Sequence, residues 1–404
     1  MAQRDDDTNN APPFFTRRLA LKTAAATLAG AALGNGVPDA RAEPPRTPLL
    51  KPRFEKIVCP WTPENPRHDH QLVFPLKDGG LLLVWCEYYV NRPSLIDRDR
   101  TNRKGQAGDD MPCRISARVS DDKGRSWSGR VILQENLWKR NVKHPNLVRL
   151  PSGEILFSFV AWDSSGQRNT FMKRSKNECE SWSEIVQISQ PGWYCNNNDH
   201  ALTLKSGRIL LPAHGVVGGG PYRGGKSKLE SFVYHSDDGF RTWKRSTDSM
   251  TAKGRGCHEP SIVELEDGRL LCLLRTTLGR VYQSHSPDQG DHWTKPAATE
   301  LRAPDSPPLL KRIPQTGHLL AMWNNVESHS NWPRTPLTAA VSKDEGRTWQ
   351  DFHDVDARPK HDAAYASVFF QDDEALVAYY TRPTASARDS EVMLKAFGIE
   401  QFYS

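Results

Sequence analysis

Five tryptophans recur along the chain, each seven residues after a serine, in windows running Ser120 to Trp127, Ser175 to Trp182, Ser236 to Trp243, Ser286 to Trp293 and Ser342 to Trp349. A period of roughly 50 to 61 residues belongs to a repeat architecture rather than to one large mixed domain. Each window reads as a hairpin turn. Its Asp or Asn (122, 177, 238, 288, 344) can accept from backbone N–H groups of the turn, a glycine supplies positive φ, and the Trp is a large packing plug. The second window has Cys179 in place of Gly, and the third carries its glycine one position early, at Gly239.

A second repeat is interleaved with the first. Six times, a short apolar run, a turn such as Asp78-Gly79, Ser152-Gly153, Ser206-Gly207, Asp267-Gly268, Thr316-Gly317 or Asp372-Asp373, and another apolar run follow one another, as hairpins do. Six hairpins, most followed by a strand pair that ends near a Trp window, give six four-stranded antiparallel blades. The expected fold is therefore all-β, a six-bladed β-propeller, rather than a β-sandwich with coincidental turns.

Residues 1–42 read as an export address. Arg17 and Arg18 lie in a twin-arginine pattern, an Ala/Gly-rich stretch follows, and Ala40-Arg41-Ala42 offers the small residues a signal peptidase needs. Residues 43–404 are then a single propeller working outside the cytoplasm, in the periplasm or beyond. No other stretch has the length of a membrane span. Seven cysteines form no Cys-x-x-Cys pattern, and Cys86 and Cys272 sit inside apolar strands as core residues would. A net charge of +6 without a Lys/Arg run argues against nucleic acid and leaves small anionic substrates open.

Hairpin geometry says where chemistry should sit. Glu259 and Arg275 lie eight residues either side of Asp267, so an antiparallel hairpin brings both to one open end. The Trp windows then fall on the opposite face and are structural. The same mirror places Asp69, His70 and Glu87, then His144 and Asp163, then Asp199, His200 and His214, on that rim. His258, Asp305, Glu327, His361, Asp362 and Tyr365 complete it. So many ionisable groups at one end of apolar strands point to a binding or catalytic pocket around the axis.

With these residues in view, the chain resembles the sialidase (neuraminidase) superfamily, whose BNR or Asp-box repeats have the form Ser-x-Asp-x-Gly-x-x-Trp, over nearly all of residues 43–404. The segment from Glu259 to Arg275 looks like the one that supplies that family's catalytic glutamate and one arginine of its carboxylate-binding triad. Arg334, eight residues before the last box serine, stands where another triad arginine is expected, and Tyr365-Ala366-Ser367 looks like the nucleophilic tyrosine motif. The resemblance implies an exo-glycosidase acting on a terminal acidic sugar. Tyr365 would attack, Glu259 would take its proton, and Asp110 or Asp109 (Asp110 preferred) would serve the leaving group. Sialidases use a tyrosine where other retaining glycosidases use a carboxylate. A neutral phenol is not repelled by the substrate carboxylate that the arginines hold. No cofactor is implied.

One departure stands out. Where the family carries its first triad arginine, counting back from Asp78-Gly79 arrives at Asp69, with Arg67 two positions earlier. Histidines 70, 144, 200, 258 and 361, with His214 at a hairpin exit, are also more numerous on the rim than the family pattern needs. That combination keeps a second enzyme class open, a lyase or hydrolase of uronic-acid polysaccharides using His and Tyr, with a divalent metal possible. A glycan-binding propeller without catalysis is the third reading. In all three, a glycan or small acidic sugar is the partner, held by Arg275, Arg334, Arg67 and the groups at Asp69, His70, His144, His200, His258 and Asp305.

Overall fold

A computed structural model describes residues 47–90, 108–385 and 389–403. The export segment at 1–42 and most of the loop after the first hairpin lie outside the described residues. Residues Thr47–Ser404 form one compact unit. Six antiparallel sheets of four strands follow one another along the chain, and no α-helix occurs among the described residues. Blade one is Arg67–Pro75, Leu81–Tyr88, Cys113–Ser120 and Val131–Gln134. Blade two is Asn141–Arg149, Ile155–Ser164, Gln167–Ser175 and Val186–Gln187. In blade three the innermost strand is split into Tyr194–Asn196 and Leu202–Thr203, both paired with Ile209–Val216. Blade four opens on His258–Glu264 and Leu270–Arg275, blade five on Leu309–Arg312 and Leu319–Asn324, and blade six on His361–Gln371 and Glu374–Pro383.

Both faces of each blade are buried, which is why the strands read as continuous apolar runs rather than as alternating ones. In blade one, Leu81, Leu83 and Trp85 pack toward blade six, while Leu82 and Val84 pack toward blade two. The apolar residues thus separate into six main clusters, one at each junction between successive blades. The ring is closed by the chain's two ends. Phe54–Cys59 pairs with Glu391–Gly398 as the outermost strand of blade six, with Phe54 opposite Ala396.

The Trp windows are structural, as expected, on the face away from the rim. In the last one Ser342 Oγ donates to Asp344 Oδ1 (2.8 Å) and accepts from the Gly346 amide (2.8 Å), while Asp344 accepts from the Thr348 amide (2.9 Å). Gly346 has φ +83°, and a Cβ there would lie 2.3 Å from Leu271 of blade four. The irregular windows place Cys179 (φ 73°) and Phe240 (φ 59°) at this same left-handed position, where both side chains are buried in the adjacent interblade clusters. The windows also latch blade to blade. Glu178 accepts from the Lys77 amide at the preceding hairpin (3.0 Å), and Glu345 does the same for Glu266 (2.8 Å).

Candidate functional site

The innermost strands are not regular at their rim ends. In blade one Asp69 pairs with Cys86 and Leu72 with Val84, so two residues face one and the strand bulges. The same irregularity recurs at Lys143/Asn146, His258/Ser261 and Ala364/Ser367. The first extra residue in each bulge is left-handed: His70 (φ 51°), His144 (φ 58°), Glu259 (φ 48°) and Tyr365 (φ 56°). Bulges re-aim side chains next to sites, and holding a non-glycine residue there costs on the order of 1–3 kcal/mol. A simple mirror about Asp267 sets Glu259 opposite Arg275; the bulge instead pairs His258 with Arg275 and frees Glu259. The four bulge residues all line one cavity of about 280 Å³ on the rim face.

At its centre Tyr365 Oη donates to Glu259 Oε1 (3.0 Å), and Arg275 Nη1 donates both to Glu259 Oε2 (2.6 Å) and to the Tyr365 oxygen (3.2 Å). Burial, reinforced by the Glu259 charge, raises the Tyr365 pKa, so the phenol is neutral. Burial also works against the Glu259 carboxylate, but Arg275 and the neighbouring imidazoles outweigh it and hold the pKa well below the usual range. Asp305 stands behind this pair. It accepts from Arg275 Nε (2.6 Å) and Arg255 Nη1 (3.1 Å), with His258 Nε2 at 3.1 Å.

Arg334 reaches the cavity from blade five. It donates to Tyr380 Oη (2.9 Å) and to the Asn331 carbonyl (3.2 Å), and lies over the Tyr365 ring at 5.4 Å. Arg67 also faces the cavity, bonded to Asp69 (2.8 Å) and to Asp109 Oδ1 (2.7 Å). Asp69 therefore neutralises Arg67 while its other oxygen, 2.5 Å from His70 Nδ1, fixes that ring. Burial pushes His70 toward the neutral form, yet the Asp69 charge wins and raises its pKa. The His70 ring lies 4.3 Å from that of Tyr365 and 4.0 Å from that of His144. Of the two aspartates considered for proton donation, Asp109 lines the cavity and Asp110 is not among its lining residues.

His200 is set apart from these groups. Its Nδ1 is 2.8 Å from the Pro260 carbonyl, and it lines a separate, smaller cavity with Asp199 and Lys311. Glu87 is also turned away, bonded to Arg114 (2.5 Å) and Arg130 (2.9 Å). Sequence reasoning passed over Lys143, Arg168, Trp193, Tyr222, Tyr380 and Arg382, which all line the cavity. Tyr380 and Arg382 were within reach of the hairpin mirror, since they pair with Ala364 and Asp362. Arg168 and Tyr222 come from third strands or loops, where no local signal marks them. Among the described residues, the one trio with ligand atoms within 4.8 Å of one another is Asp69, His70 and Cys86, all buried, and no set of three histidines meets that condition. All seven cysteines are buried and unpaired.

The buried imidazoles predict an acid response. His68 accepts from Trp85 Nε1 (3.1 Å), and burial lowers its pKa to about 4; burial likewise takes His200 to about 4 and lowers His144 and His214 well below the usual value. A folded pKa below the unfolded one means stability is complete above about pH 6.5 and lost as pH falls. At pH 5, His68 and His200 should each cost about 2 kcal/mol, the 1.5 units below about 6.5 at about 1.36 kcal/mol per unit. His70, shifted upward by the Asp69 charge, opposes them. Below about pH 4 the depressed carboxylates Asp69, Glu259 and Asp305 add a second loss. Thermal unfolding followed by circular dichroism from pH 8 to 3 should show Tm falling in these two stages. A Tm unchanged between pH 7 and 5 would contradict the assignment of neutral buried imidazoles.

The BNR repeat-like domain family matches residues 103–378, and the chain belongs to it. A structure of a Dyadobacter fermentans protein of unknown function superposes with a TM-score of 0.68 at 18% identity, covering 87% of this chain and 100% of that one. The Hadza microbial sialidase Hz136 gives 0.64 at 16% identity over 83% of this chain and 66% of its own. Trypanosoma rangeli sialidase in complex with sialic acid gives 0.66 at 13% identity over 88% and 60%. The chain thus spans about two thirds or less of those sialidase chains, and the likeness is one of fold. No curated protein matches it.

Proposed function

We propose that this propeller is a sialidase-type exo-glycosidase that releases a terminal acidic sugar. The observation that carries the reading is the hydrogen-bonded trio of Tyr365, Glu259 and Arg275 at the centre of the cavity. Tyr365 Oη attacks the anomeric carbon as its proton passes to Glu259, and Asp109, on the exposed edge, gives a proton to the departing oxygen from its protonated form, which forms when the bond to Arg67 is released. Water then cleaves the tyrosyl link by the reverse proton movements. In the resting site Arg275 suppresses the basicity of Glu259. A substrate carboxylate drawing on Arg275 and Arg334 weakens that hold, so binding itself prepares the base. The twin-arginine segment supports an exported protein, in the periplasm or outside the cell; replacing Arg17 and Arg18 by Lys should leave it in the cytoplasmic fraction. No helix among the described residues is long and apolar enough to cross a membrane.

A second reading rests on His70, braced by Asp69 against the Tyr365 ring, an arrangement that also suits proton movements in a uronate lyase or hydrolase. The deciding experiment is turnover of a fluorogenic α-sialoside by the exported protein, with and without chelator. Turnover indifferent to chelation supports the sialidase reading. A folded protein without turnover rules out that specificity, and depolymerisation of uronic-acid glycans becomes the test of the second.

A further inference from the structure

Among the described residues, cations outnumber the carboxylates that touch them around this cavity, and the surplus is not evenly placed. Arg67 is met by Asp69 and Asp109, Arg275 by Glu259 and Asp305, Arg255 by Asp305, and Arg382 by Asp362. Among the described residues the Arg334 guanidinium bonds only to neutral partners, as a group awaiting a substrate carboxylate should. Arg168 has the same character on the far side. It rises from blade two, three blades round a ring of six from Arg334 in blade five, and so lies across the axis from it.

Arg168 is only 8% exposed, lines the cavity, and has no carboxylate within ion-pair distance among the described residues. Its Nη2 donates to His144 Nε2 (2.7 Å), which burial keeps neutral, and its Nε is buried without a partner. Trp162 and Trp193 hold the guanidinium at 5.3 and 5.0 Å from their ring centroids. Lys143, also buried, reaches a backbone carbonyl of Asp109 (3.1 Å) and, among the described residues, no carboxylate oxygen. A desolvated guanidinium left without a counter-ion is costly unless a ligand supplies one.

We infer that Arg168 and Lys143, walled by Trp162 and Trp193, form a second oxyanion subsite, so that the substrate carries two anionic groups, one at Arg334 and Arg275 and one at Arg168. This rests on the proposed glycosidase reading for the first group only. The second is a carboxylate or a sulfate ester on the same or the adjoining sugar, since both present the oxygens a guanidinium pairs with.

Calorimetry on the full chain at fixed ionic strength tests it with N-acetylneuraminate and glucuronate as singly charged probes. Digalacturonate and a uronate–sulfate disaccharide serve as doubly charged ones. The doubly charged probes should bind about ten- to a hundredfold more tightly, the worth of a charged hydrogen-bonded pair. Arg168→Gln should erase that margin and change binding of the single charges less than about threefold, where Arg168→Lys keeps part of it. Arg334→Gln should weaken both classes. Preference between the two disaccharides tells carboxylate from sulfate. Absence of a margin in the unmodified protein, no binding of any probe, or equal losses for both classes in Arg168→Gln would overturn the subsite. Because no turnover is read, a margin without sialoside hydrolysis would keep the subsite and reject the proposed reaction.

Discussion

Tyr365→Phe is expected to lower sialoside turnover by on the order of a thousandfold or more, with little change in KM or in Tm. The phenol is the one group of the central trio that would form a covalent bond to the sugar. Its removal deletes one hydrogen bond to Glu259 and one from Arg275. The ring remains, and with it the contact with His70 and the face beneath Arg334. Steady-state kinetics beside a thermal melt separates loss of chemistry from loss of fold. Retention of more than about a tenth of the activity would exclude Tyr365 as the nucleophile, because loss of a covalent partner is not a modest effect.

Glu259→Gln should cost roughly 10²- to 10⁴-fold in kcat, the usual worth of a positioned base. It also carries a structural signature. Glu259 and Asp305 together neutralise Arg275, so the variant leaves a buried guanidinium with one carboxylate. Substrate carboxylates should then compete with less opposition, and KM should fall while kcat falls. Removing the Glu259 charge also relieves one of the causes that raise the Tyr365 pKa, so the phenol should ionise at lower pH in the variant, visible by ultraviolet difference titration. A fall in kcat with KM raised instead would mean that Glu259 binds the sugar rather than serving Tyr365.

Aspartate 69 shows how a local departure is resolved by its surroundings. From the chain alone it is a carboxylate where an arginine would be expected, and therefore an obstacle to an anionic substrate. In the fold its two oxygens are taken by Arg67 and His70, so its charge is spent on groups that themselves face the cavity. Arg67 in turn is drawn toward Asp69 and Asp109, and is not a bare guanidinium like Arg334. The same logic explains why histidines crowd the rim without forming a three-histidine metal cage among the described residues. His144 serves Arg168, and His214 accepts the Glu259 amide through Nδ1 (3.3 Å).

The blades themselves were legible because their signals are local. A Ser, an Asp and a Trp within eight residues satisfy their own turn, and a hairpin is read from the few residues on either side of it. Five such windows accompany six hairpins, and nothing in the spacing says that Phe54–Cys59 supplies the outer strand of the sixth blade. That Tyr365, Glu259 and Arg275 lie on one rim could be read for the same reason, each lying at a hairpin end. What the chain alone could not decide was aim and company. A one-residue bulge shifts register and turns a side chain by half a pleat, and it leaves no mark in an apolar run. The partners of Arg168 and Arg334, on opposite blades, are set only when the ring closes, because the charge left uncompensated at the axis is a sum over every blade.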